Sequence, residues 1–342
     1  MLGLVWFGTF LISGGGTYLL IGWLSHRGVL DIPNLRSSHK RPTPRGGGVA
    51  IIASFLIGAL LTYFLNGHST LPGWGFFTGL VLVGLAGWLD DKHNLPVAVR
   101  FLLYGIAGGM VFWETGGFEQ FPLPEPFSFH LSWLSLPVTL FWVIAVVNIY
   151  NFLDGIDGYA GLQAILASGG MMLLDFEGTG FFTGILLLSA SIGFLLFNWH
   201  PARIFMGDIG SATLGFIFAT VPFYFTQVSS ANGIFSMGIF LWFFLSDGAF
   251  TIIRRLLKGE KVWEAHRSHL YQQLSDLFSH ARVSAGVMMA AATLVGLYFY
   301  MYYQPDYNLI WILPVAILFF LAYYYFVSRL KKRKHVPRQE TA

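Results

Sequence analysis

Leu131-Ser-Trp-Leu-Ser-Leu-Pro-Val-Thr-Leu-Phe-Trp-Val-Ile-Ala-Val-Val147 runs directly into Asn148-Ile-Tyr-Asn151-Phe-Leu-Asp154-Gly155-Ile-Asp157-Gly158. The first part carries no charge and approaches the roughly 20 residues a helix needs to cross a bilayer core. The second part sets a polar group at every third residue, at 148, 151, 154 and 157. In a continuing helix, such groups lie on adjoining turns of one face. Ionisable groups at membrane depth cost several kcal/mol and either pair or mark a site. Four polar groups, two of them ionisable, beside two glycines are hard to explain as packing, so this stretch reads as a membrane span that ends in a functional site.

The remainder of the chain agrees. Its 342 residues are 55% hydrophobic and 11% charged, with a mean hydropathy of +0.62. A soluble chain carries about 25% charged residues, so a soluble enzyme and a disordered chain are both excluded. Cysteine is absent. A thiolate nucleophile, a cysteine zinc site, an iron–sulfur cluster and disulfides are therefore excluded too. A net charge of +3 is too small to point to nucleic acid.

Eleven stretches are apolar enough to span: 1–24, 46–65, 71–89, 97–113, 131–147, 156–174, 181–197, 211–228, 233–253, 283–302 and 309–327. The first lacks the basic leader and small-residue cleavage site of a signal peptide. The expectation is an all-α polytopic membrane protein of about 11 helices, a single integral-membrane domain over 1–342. Segments 25–45, 90–96, 148–155, 198–210, 254–282 and 328–342 carry all 20 Lys and Arg, counting Arg100 within a turn of one of them. The opposite loops have no Lys or Arg and carry acids, among them Glu114, Glu119, Asp175 and Asp306. The positive-inside rule makes the first face cytoplasmic, with the N-terminus outside and the C-terminus inside. The basic run 329–334 reads as an anchor on anionic headgroups.

Further clusters crowd the same face. Asp31-Ile-Pro-Asn-Leu-Arg36-Ser-Ser-His39-Lys40-Arg41-Pro42-Thr-Pro44-Arg45 enters a helix through Gly46-Gly47-Gly48. Glycine there allows close approach to an anion at a helix N-terminus, although a plain positive-inside loop reads equally well. Asp90-Asp91 ends the third span. Adjacent carboxylates repel, and are tolerated in water, beside cations or on a metal. Phe205-Met-Gly207-Asp208-Ile-Gly210-Ser211 opens a helix, with Asp208 as its N-cap or as an oxygen ligand and Phe205 free to stack on a flat ring. Trp263-Glu264-Ala-His266-Arg267-Ser-His269 sets two histidines three apart, on one face if helical. Without cysteines they suit phosphate or sugar better than zinc. Asp247, two turns before Arg254 and Arg255, reads as a structural partner. Hard oxygen donors and guanidinium groups together suit Mg²⁺ and phosphoryl transfer. A site at a membrane edge can take a nucleotide from water and a lipid phosphate from the bilayer.

In this order and on this face, Asp90-Asp91, the 148–158 motif, the 205–211 motif and the His266/His269 loop resemble the polyprenyl-phosphate N-acetylhexosamine-1-phosphate transferases of the MraY/WecA type. The resemblance covers about residues 31–272, and the span number and histidine loop are most similar to the WecA- and WbpL-like enzymes that begin O-antigen synthesis. It implies transfer of a sugar 1-phosphate from a UDP-N-acetylhexosamine to undecaprenyl phosphate, with release of UMP, in a bacterial inner membrane. The cofactor it implies is Mg²⁺, or Mn²⁺ in its place, with Asn151 and Asp208 as metal ligands. Phe205 would stack on uracil and Asp157 bond its edge, Arg100 would hold the diphosphate, and Asn148 and Arg267 would contact substrate. Asp90, Asp91, Asp154, His266 and His269 would be the catalytic set, with Asp90 and Asp91 near the attacking lipid phosphate. A homodimer is left open. Family members often carry a tighter histidine cluster than His266-x-x-His269, which leaves the sugar open among UDP-GlcNAc and its 6-deoxy relatives UDP-FucNAc and UDP-QuiNAc. A lipid-linked glycan flippase is the rival reading, but it should place charges near mid-membrane in repeated halves.

Overall fold

The computed structural model describes residues 2–33, 38–39, 41–66, 70–261 and 266–335. In order they form α1 (Leu2–Arg27), β1 (Leu30–Asp31), β2 (Thr43–Pro44), α2 (Gly48–Asn66), α3 (Trp74–His93), α4 (Val97–Thr115), α5 (Ser135–Leu153), α6 (Tyr159–Leu174) and α7 (Thr179–Asn198). After these come α8 (Asp208–Thr220), α9 (Ser230–Phe240), α10 (Trp242–Leu257), α11 (Leu270–Ser275), α12 (His280–Tyr302) and α13 (Ile312–His335). The two short strands pair antiparallel, Leu30 with Pro44 and Asp31 with Thr43.

Each of the eleven apolar stretches is helical, yet they do not make eleven equivalent spans. Seven helices (α1, α2, α4, α5, α7, α12 and α13) are long and apolar enough to cross a membrane. The expected ninth span is broken into α9 and α10, bent by 77°, and brings the number to eight if the pair counts as one. The bend falls at Leu241, whose φ of −96° and ψ of 11° leave the helix. Leu241 is fully buried and its N–H still reaches the Met237 carbonyl, which is how irregular backbone is tolerated at membrane depth. Of the remaining stretches, α6 has 16 residues and α8 has 13, while α3 closes on Asp90, Asp91, Lys92 and His93. Length and composition thus establish seven or eight spans among the described residues, and these three helices add apolar length without meeting that test. The basic run after 328 is no loose tail, because α13 continues through it to His335.

The centre of the bundle is α8, buried from Gly210 to Thr220. Small residues let its neighbours come backbone to backbone, as membrane helices do where packing is tightest. A Cβ on Gly48 would lie 2.2 Å from Gly210 Cα, and one on Gly87 would lie 2.5 Å from the Asp208 carbonyl oxygen. The start of α2 and the last turns of α3 are thereby pinned against the first turn of α8.

Candidate active site

The first turn of α8 organises everything around it. A helix N-terminus exposes unpaired N–H groups and favours negative charge. Here Asp91 of α3 supplies both: its two oxygens accept from the N–H groups of Asp208 (3.0 Å) and Ile209 (3.1 Å). Asp208 is thus not the N-cap; Gly207 holds that position at φ 76°, where a Cβ would lie 2.7 Å from Asp91 Oδ2. The Asp208 carboxylate is left for other partners. Arg45 bridges the two acids, its Nε 2.8 Å from Asp91 Oδ1 and its Nη2 2.7 Å from Asp208 Oδ1. Asn151 Nδ2 donates to Asp208 Oδ1 at 3.1 Å and to Ser211 Oγ at 2.9 Å. Arg45 is seated because the N–H groups of Gly46, Gly47 and Gly48 bond the carbonyls of Phe205 and Met206. Burial alone would lower its pKa, but Asp208, Asp91 and Asp31 outweigh that and raise it, so the guanidinium stays charged.

These groups face a cavity of about 520 Å³, reached by five of the six segments expected on one face and lined among others by His39, Arg45, Asn151, Asp154, Phe205 and Asp208. Phe205 borders it, in edge contact with the His39 ring at 4.8 Å. The expectation of one continuous helical face over 148–157 needs correcting. The chain leaves α5 at Asp154 (φ −81°, ψ 55°), so Asp154 and Asp157 lie beyond the helix. Burial, then the neighbouring Asp208, pushes the Asp154 carboxyl up to about 7. Such crowding of acids calls for a cation. Asp157 is occupied differently: Oδ2 meets His200 Nδ1 at 2.6 Å and the Ala202 N–H at 3.2 Å, while Oδ1 lies 3.2 Å from His280 Nδ1. Burial alone would raise its pKa, but hydrogen bonds from His280 and His200 bring it below the usual carboxylate range. A carboxylate with both oxygens engaged acts on a ligand through the histidines it holds.

Asp90, one residue before Asp91, faces elsewhere. Its Oδ2 pairs with Arg100 Nη1 at 2.6 Å and its Oδ1 accepts from the Leu95 N–H at 2.7 Å. Arg100 lines a second, apolar groove of about 620 Å³ between α4, α5 and α10, with Phe101, Phe141, Ile149 and Ile253. Asn148 lines this groove too, its Nδ2 bonded to the Ile144 carbonyl at 2.7 Å.

The histidine loop does not form the helical face its spacing suggests. His269 is extended (φ −63°, ψ 149°) and α11 begins only after it. His269 is buried, its Nδ1 3.4 Å from Asp247 Oδ1. Asp247 also accepts from the N–H groups of Leu270 and Tyr271, which confirms it as a structural partner, though of this loop. His266 stacks near His269, with centroids 4.9 Å apart, and its Nδ1 meets Ser268 Oγ at 2.9 Å. Arg267 reaches Asp276 (2.8 Å) and Ser38 (3.4 Å), tying this loop to the one before α2. Neither histidine lines the polar cavity; Gln272 and His280 do. Trp263, Glu264, Arg36 and Lys40 lie outside the described residues.

A model described as glycosyl transferase family 4 matches residues 73–226. A probable undecaprenyl-phosphate N-acetylglucosaminyl 1-phosphate transferase of Bacillus subtilis (strain 168) is 31% identical over 281 residues, which is 76% of this chain and 74% of the relative. The chain belongs to glycosyl transferase family 4, the MraY/WecA family. A phospho-N-acetylmuramoyl-pentapeptide-transferase of Listeria innocua serovar 6a is 32% identical over 197 residues, covering 53% of this chain and 61% of that protein. A decaprenyl-phosphate N-acetylglucosaminephosphotransferase of Mycobacterium leprae is 28% identical over 306 residues, 77% of this chain and 75% of its own.

The oxygen donors in this family member's cavity include Asp208, Asn151 and Asp154; the chain has no thiolate, and of the lining histidines His280 faces Asp157 while His39 packs on Phe205. That set fits a hard cation such as Mg²⁺ and not zinc. Asp208 already holds the cationic head of Arg45, so the position suits positive charge. Sequence reasoning quoted Arg45 and His39 without a role, left Asn198, His200 and Gln272 unassigned within segments 198–210 and 254–282, and did not single out His280. A basic residue immediately before three glycines was the usable signal for Arg45; single histidines offer no pattern.

Proposed function

We propose that this protein transfers N-acetylhexosamine 1-phosphate from a UDP-N-acetylhexosamine to undecaprenyl phosphate, yielding the lipid-diphosphate sugar and UMP at the cytoplasmic face of a bacterial inner membrane. Membership of the family supports the reaction class. The observation that carries the reading is the pair of adjacent acids at the end of α3: Asp91 joins Arg45 and Asp208 in the polar cavity, and Asp90 holds Arg100 in the apolar groove. A water-soluble donor and a lipid acceptor can thus approach one point from two sides.

On this reading the isoprenoid lies in the groove, and Arg100, expected at the donor's diphosphate, receives the lipid phosphate with Asn148 instead, because it lines the apolar groove and not the polar cavity. A lipid phosphate oxygen attacks the sugar-bearing phosphorus, the bond from that phosphorus to the UMP oxygen breaks, and UMP leaves without water or redox partner. A phosphate with a second pKa near about 6 is already largely ionised at neutral pH, so a general base is not required. Asp91, whose oxygens are spent on the α8 N–H groups, organises charge instead of moving a proton. Phe205 stacks on uracil, while Asp157 orders His200 and His280 beside it. Asp208 and Asn151, with Asp154 close by, would hold Mg²⁺, which would neutralise charge on the diphosphate. The sugar is N-acetylglucosamine or a 6-deoxy relative, and the product initiates O-antigen or a related surface glycan; the names of the Bacillus and Mycobacterium relatives favour N-acetylglucosamine.

Vesicles containing the protein should release UMP from UDP-GlcNAc only with undecaprenyl phosphate and Mg²⁺ both present. Release without the lipid, or passage of a lipid-linked sugar across the vesicle without UMP, would contradict the proposal.

A further inference from the structure

A third hollow, of about 660 Å³, lies away from both substrate sites, between α10, α12 and α13. Its wall is apolar, from Phe243, Val287, Ala290, Phe319 and Phe326, except at two points. Arg282, in the first turn of α12, lines the end on the same side as the polar cavity and is exposed. Among the described residues no acid pairs with it. The other polar residue of the wall is Tyr323, 9% exposed, whose hydroxyl is buried. Beside the mouth, Lys331 of α13 reaches Gln273 of α11 at 3.4 Å, which brings the basic end of α13 to the same place.

An apolar trough in one half of the membrane, with a guanidinium at its water end, matches one molecule in both parts: acyl chains for the trough and a phosphate for the cation. We infer that this groove binds an anionic phospholipid of the leaflet on the basic side, its phosphate on Arg282 and its chains along α12 and α13. Basic pockets between spans on the cytoplasmic side recognise such headgroups. The site is independent of the transfer reaction, and its test uses no nucleotide.

Purified protein in detergent is dosed with phosphatidylglycerol or phosphatidylcholine of matched chains, and retained lipid is counted by native mass spectrometry. The wild type should keep phosphatidylglycerol about fivefold better, Arg282→Ala should erase that preference, and Arg282→Lys should restore most of it. A Cβ on Gly286 meets open space, so Gly286→Leu should fill the trough and lower retention of both lipids while leaving the thermal midpoint in place. Equal retention of the two lipids overturns the inference, as does a preference that survives both Arg282→Ala and Gly286→Leu. So does displacement of phosphatidylglycerol by one equivalent of undecaprenyl phosphate.

Discussion

Asp90 and Asp91 are neighbours on one helix, yet they serve opposite surroundings. About 100° of helical rotation separates them. Asp91 sits among polar partners, where it caps α8 and fixes Arg45 against Asp208. Asp90 is buried and spends its oxygens on Arg100 and the turn after α3. The cavity beyond Asp91 is lined by charged and amide groups, and the groove beyond Asp90 by apolar side chains with Arg100 and Asn148 at its edge. Neighbouring acids on one helix thus border two unlike pockets, which the proposed function assigns to donor and acceptor.

Substitutions on either side should separate the two pockets. The largest effect belongs to Asp208: Asp208→Asn should lower kcat about 100- to 1000-fold in UMP release, with the helices retained by circular dichroism. Full activity would remove Asp208 from the reacting diphosphate. Next comes the groove. Arg100→Ala should raise KM for undecaprenyl phosphate about 30-fold, the worth of a charge-assisted hydrogen bond, and leave KM for the UDP-sugar nearly unchanged. Phe205→Ala should do the reverse, raising KM for the UDP-sugar about tenfold as a stacked base is lost.

The smallest effect concerns Asp157. Its folded pKa is depressed, so its stabilisation is present above the ordinary carboxylate range and disappears as pH falls through the folded value. Asp157→Asn should cost about 1 kcal/mol at pH 7, read as a lower thermal midpoint, and the gap from wild type should close on acidification. A gap that widens in acid would mean that Asp157 is not held as an anion by His200 and His280.

Much of this was legible in the sequence because it is local. Two short motifs, Asn151 with Asp154 and Phe205 with Asp208, marked four residues that line one cavity, although Asp154 lies beyond the helix its spacing suggested. The helical character of every apolar stretch was equally visible, since hydropathy accumulates along the chain. What escaped depends on contacts across the fold. Arg45 reaches Asp208, 163 positions away, because Gly48 and Gly210 allow α2 to touch α8. The bend at Leu241 leaves no mark in composition. His269 was expected on a helical face with His266, but Asp247 grips the backbone after it and draws the ring inward. Asn148 and Asn151 share a motif, yet α5 turns them toward different pockets.

The most direct test varies both substrates against Arg100→Ala, Phe205→Ala and the double variant, reading KM for each. Two pockets meeting at one reacting centre predict a crossed pattern, the lipid KM responding to Arg100, the nucleotide KM to Phe205, and the double variant showing the sum of the two free-energy losses. If Arg100→Ala raises both constants alike, the groove and the cavity hold the same substrate, and the division between Asp90 and Asp91 has no bearing on the reaction.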